Sequence, residues 1–214
     1  MRNGIVPRIR PWRIGLRTFW RTLARPATAN KPMDVNRLWF DFCRDGTYYY
    51  VCGRSAELSG LSPVYGNLFH HALELLLKAD LIRHGVPLLK VRAFGHNLGR
   101  LWKRFKKRTG DKSLAQYDPL IRELNRFQSI RYPEQRGGMT IATSIVPGQR
   151  ATMWSDTPLP PHYEINLGEM DELVMRVVKA VEVNPTSLRH HLLSEESKRI
   201  LLEQNLQAGF WTQD

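Results

Sequence analysis

The stretch VYGNLFHHALELLLKADLIRH, residues 64–84, constrains this chain more than any other. Its apolar residues recur at helical spacing, yet Phe69, Leu73, Leu76, Leu77, Leu81 and Ile82 are spread around the axis and leave almost no side for water. A helix that is apolar all round has to be enclosed by other elements. The breakers Gly85 and Pro87 end it.

The enclosing elements are also legible. Asp34 is an N-cap candidate for a helix over Val35–Leu58, whose apolar contacts include Leu38, Trp39, Phe42, Tyr49, Val51, Cys52 and Ala56. Gly46 sits mid-helix there, at a propensity cost of about 1 kcal/mol. After a linker, a third helix is predicted over 97–109, with Leu98, Leu101, Trp102 and Phe105 as its apolar stripe. A fourth is predicted over 118–129, turned inward by Leu120, Ile121, Leu124 and Phe127. The pattern then breaks at RYPEQRGG. Residues 134–167 read as a long irregular insertion: MTIATSIVPG suits a short strand, and SDTPLPPHYEINLG carries three prolines. Helical spacing returns in EMDELVMRVVKAVEV, and a last helix is expected over 188–207, leaving 208–214 as a C-terminal tail. The expected fold is all-α, an antiparallel helical bundle over 33–207.

Charge sets residues 1–32 apart. The net charge is +12, and eight arginines and lysines lie in residues 1–31 with no acid among them. RPWRIGLRTFWRTLARP mixes arginine with Trp12, Phe19 and Trp20, as a short interfacial helix would. The periodic pattern starts only at Met33, so 1–32 is expected to be a basic, flexible extension, able to meet nucleic acid or an anionic membrane. No apolar run reaches the eighteen residues of a membrane span. Cys43 and Cys52 lie nine positions apart in one predicted helix, about 13.5 Å along its axis, too far for a disulfide. That usage fits a reducing cytoplasm.

His70, Glu74 and Lys78 fall at i, i+4 and i+8 on the buried helix, and His71 shares their side. One reading is a structural polar seam, an ion pair that holds helices in register with His96 or Asn97 as further partners. The other is a site: His70 and Glu74 as metal ligands, or His96 and Glu74 as acid and base. The sequence places only two metal ligands together and contains no HExxH, paired-cysteine or phosphate-loop motif. The structural reading is preferred, with no metal and no cofactor. Arg100, Lys103, Arg104, Lys107 and Arg108 form a basic face suited to RNA phosphates, which Arg122, Arg126 and Arg131 would extend. Trp102 and Phe105 share the apolar stripe and read as core. His190 and His191 read as surface residues, and no serine has a hydrolase context.

An aromatic helix with GRSAEL, then FHHALELLLKADL, then GHNLGRLW, then a helix ending IRYP: this order resembles the HEPN-domain family over about residues 34–133, with 169–183 a looser continuation. The resemblance implies a small helical bundle that works as a homodimer. Many members of that family are ribonucleases, often toxins, in which an arginine followed after four to six residues by a histidine acts on the RNA backbone. Here Arg92 precedes His96 with only three residues between. The expectation is therefore a noncatalytic HEPN-like module that dimerises and binds RNA, a nucleotide or a partner protein. The alternative is a divergent metal-independent ribonuclease using His96 with Arg92 or Arg131.

Overall fold

The computed structural model describes residues 34–61, 64–130, 132, 134, 137, 140–144 and 162–213. The chain divides between Met33 and Asp34, and the basic extension 1–32 lies outside the described residues. The described residues form a mostly helical bundle. Its elements are α1 Val35–Leu58, α2 Val64–Arg83, α3 Leu88–Arg92, α4 Leu98–Thr109, a 3₁₀ helix Lys112–Tyr117 and α5 Asp118–Ile130. They continue with β1 Thr140–Ser144, β2 His162–Asn166, α6 Leu167–Ala180, α7 Pro185–Leu192, α8 Glu195–Leu202 and α9 Ala208–Thr212.

Thirteen of the twenty residues of α2 are buried, which makes it the central helix. It contacts α1, α4, α5 and α6. Asp34 caps α1 by accepting from the backbone N–H groups of Asn36 and Arg37. Gly46 proves to be a packing residue. A Cβ there would lie 2.9 Å from Leu76 Cγ, and a Cβ at Gly53 would lie 2.6 Å from the Phe69 ring. As position rises along α1 it falls along α2, so the two helices run antiparallel with these glycines at their closest approach. The helix-propensity cost of both glycines is thus offset by contact. Gly53→Val is expected to lower stability by about 1–3 kcal/mol, read by denaturant unfolding, because the overpacked side chain forces Phe69 out of place. A loss within about 0.5 kcal/mol would show that α1 and α2 can separate without penalty.

Several sequence expectations need correction. The linker after Pro87 contains the short α3, and the 3₁₀ helix after Gly110 buries Leu114 and Tyr117. Within 134–167 the short strand expected in MTIATSIVPG is present as β1, but the end of the stretch expected to be irregular forms a second strand, β2. β1 and β2 pair in parallel, Thr140 opposite His162 through Ser144 opposite Asn166. In β2, Tyr163 and Ile165 alternate inward and are buried, so the strand period was present in HYEIN despite the prolines before it. Asn166 then caps α6 directly, accepting from Glu169 N at 2.8 Å. The single last helix expected over 188–207 is instead two, α7 and α8. Ser194 leaves the helical region and caps α8, and Gln204 takes a positive φ. The expected tail at 208–214 carries α9, whose Trp211 is fully buried and stacks on Tyr50 with ring centroids 6.1 Å apart.

Candidate functional site

Glu74 is the centre of a polar cluster inside the bundle. Its side chain is 4% exposed and receives Lys78 Nζ on Oε1 at 2.5 Å. Three imidazoles converge on the other oxygen, Oε2. His96 Nδ1 lies at 3.0 Å, His70 Nε2 at 3.6 Å and His71 Nδ1 at 3.7 Å. Helix periodicity explains His70, His71 and Lys78, all within one turn of Glu74 on α2. His96 comes from the turn between α3 and α4, 22 residues on in sequence. Burial alone would raise the Glu74 carboxyl, but hydrogen bonds from His70, His71, Lys78 and His96 outweigh it and hold the group far below the usual carboxylate range. The cluster opens outward: His71 is 33% exposed and His96 68% exposed, while His70 is buried and its Nδ1 lies 3.0 Å from the Leu124 carbonyl.

The expected seam of His70, His71, Glu74 and Lys78 is therefore present, and His96 joins it. Asn97 does not. Its Oδ1 caps α4 by accepting from Arg100 N at 2.9 Å. The sequence places His70 and Glu74 together as metal-ligand candidates; the fold assembles a different trio. His71, Glu74 and His96 each offer a ligand atom, and these atoms all lie within 4.8 Å of one another.

On α4 the basic residues divide into two groups. Lys106 binds both oxygens of Asp118, at 2.6 and 2.7 Å, beside the Trp102 indole, which donates to the same carboxylate. Arg108, expected among the RNA-facing cations, is instead a structural residue. Its Nε lies 2.7 Å from Asp80 Oδ2 and its Nη2 2.5 Å from Oδ1, gripping a carboxylate with no exposed surface. Burial pushes the Asp80 carboxyl upward against the pull of Arg108. Arg100, Lys103, Arg104 and Lys107 are exposed and share the opposite face from buried Leu98, Leu101, Trp102 and Phe105. Arg122 is exposed on α5, Arg126 pairs with Glu123, Arg92 is exposed on α3, and Arg131 lies outside the described residues. His190 and His191 are exposed as expected.

Sequence reasoning passed over a second buried cluster. Arg54 on α1 and Asp171 on α6 form an ion pair with no side-chain exposure. Tyr50 donates to Asp171 at 2.6 Å, and Arg54 also donates to the backbone carbonyls of Ile200 and Glu203. Burial pushes the Tyr50 phenol well above its ordinary range, so its proton is a fixed donor. The available signal was Arg54 and Tyr50 at i and i−4 on a helix face that is otherwise apolar. Cys43 and Cys52 are both free. Burial pushes the Cys43 thiol up to about 12, which makes it an inert packing group.

No helix among the described residues is long and apolar enough to cross a membrane. No family model matches the chain, and no curated protein or solved structure matches it either.

Proposed function

We propose that this chain is a HEPN-like helical module that binds RNA through the outward face of α4, works as a homodimer in the cytoplasm and does not cleave RNA rapidly. The observation that carries the reading is the stripe Arg100, Lys103, Arg104 and Lys107. These four cations are exposed within two turns, and none has a carboxylate partner among the described residues. They span ~10.5 Å along the helix axis. Like charges at this spacing repel, and a polyanion offsets that repulsion. Lys106 and Arg108 are occupied by Asp118 and Asp80, so the free positive charge of α4 is concentrated on its outward side. With Trp102 and Phe105 buried, α4 offers phosphate contacts without base stacking, which suits RNA binding with little sequence preference. Tyr48 and Tyr49, exposed on α1 beside Cys52, provide the surface for a second copy.

Fluorescence anisotropy with single-stranded and structured RNA tests this. Four phosphate contacts to a single strand should give a log K against log[salt] slope of about −2.8, and Lys103→Glu with Lys107→Glu should flatten it by about half. Binding that ignores salt, or that survives the charge reversals, would remove RNA from the reading and leave a protein partner. Light scattering measures the dimer.

One observation favours a second reading, the divergent ribonuclease. His96 is the most exposed member of its cluster, and its Nδ1 lies 3.0 Å from Glu74 Oε2, the pairing of imidazole with carboxylate that proton transfer uses. RNA cleavage that disappears in a folded His96→Ala variant would make this the function.

A further inference from the structure

We infer that His71, Glu74 and His96 form a binding site for one divalent transition-metal ion of the zinc class. This goes beyond RNA binding and does not depend on it. The geometry is close to what such an ion needs. Zinc bonds of 2.0–2.2 Å to imidazole and carboxylate set neighbouring donor atoms roughly 3.3 Å apart in a tetrahedron. Glu74 Oε2 stands 3.0 Å from His96 Nδ1 and 3.7 Å from His71 Nδ1, and all three donor atoms lie within 4.8 Å of one another.

The donor chemistry points the same way. The Leu124 carbonyl can only accept, so His70 Nδ1 donates to it, and His70 stays outside the ligand set. Imidazole and carboxylate are natural donors to such an ion, and His71, His96 and Glu74 supply them. Lys78, at 2.5 Å from Oε1, then serves as the outer partner that orients the ligating carboxylate, at some electrostatic cost to ion affinity. Two ligands sit one helical turn apart on α2, and the third is anchored at the start of α4, where Asn97 caps the helix. The partial exposure of His71 and His96 leaves a face open to solvent for an exogenous ligand.

Calorimetric titration of the chelator-treated full chain with Zn²⁺ tests the site. The expected result is one equivalent bound, with a melting temperature raised by about 5–10 °C when free zinc exceeds Kd a hundredfold. His96→Ala alters an exposed side chain and should keep the fold while weakening binding at least ~10-fold. His71→Ala should do the same. His190→Ala with His191→Ala should change nothing. Absence of binding, affinity unchanged in a folded His96→Ala variant, or binding lost with His190 and His191 would overturn the proposal.

Discussion

Asp171→Ala is expected to lower stability by about 3–5 kcal/mol, since it strands the Arg54 guanidinium inside the bundle without its countercharge. Neither side chain of the pair has any exposed surface, so water cannot replace the missing carboxylate. The loss spreads beyond the pair. Tyr50 would lose its 2.6 Å acceptor, and Arg54 holds the Ile200 and Glu203 carbonyls at the end of α8 only while it is itself held in place. Against a total stability of 5–15 kcal/mol for a domain, this is a large share. The double variant Arg54→Met with Asp171→Leu should recover much of it by removing both charges. The two orphaned carbonyls would still cost about 1–3 kcal/mol each wherever they stay dry. Denaturant unfolding of the two single variants and the double gives the coupling between them. A loss under about 1 kcal/mol in Asp171→Ala would mean that α6 and α8 are not tied to α1 through this pair.

Glu74→Ala is the second large effect, also about 3–5 kcal/mol when measured in the presence of a chelator. The carboxylate is the common partner of Lys78, His70, His71 and His96. Removing it leaves Lys78, whose side chain is only 12% exposed, without its counterion, and takes away the contact of the buried His70 Nε2 at 3.6 Å. His96 loses the contact that holds its ring against α2. Glu74→Gln, of the same shape but without the charge, should recover part of the loss through a neutral hydrogen bond. If Glu74→Ala unfolds within about 1 kcal/mol of the parent while a binding or cleavage activity disappears, the cluster is a functional site that the fold does not need.

Local order was legible because helix formation is a short-range affair. The bounds of α1, its Asp34 cap, the burial of α2 and the inward stripe of α4 all follow from residues three or four apart. Where the sequence reading failed, a long-range contact overrode a local rule. The expected last helix breaks at Leu193 and Ser194, and α9 instead inserts Trp211 against Tyr50 on α1. HYEIN, after three prolines, becomes a strand because a parallel partner, Thr140–Ser144, lies beside it.

By itself the sequence determined that one central helix would be enclosed by others, and that this helix would carry His70, His71, Glu74 and Lys78 on a common side. Only the tertiary structure decided the partners of its charges. His96 reaches Glu74 from the start of α4, Arg108 is taken from the basic face by Asp80, and Arg54 meets Asp171 from 117 residues away. The physical reason is that spacing along a helix specifies a direction, whereas the high cost of an unpaired buried charge only demands some partner. Which partner answers that demand depends on how the helices pack.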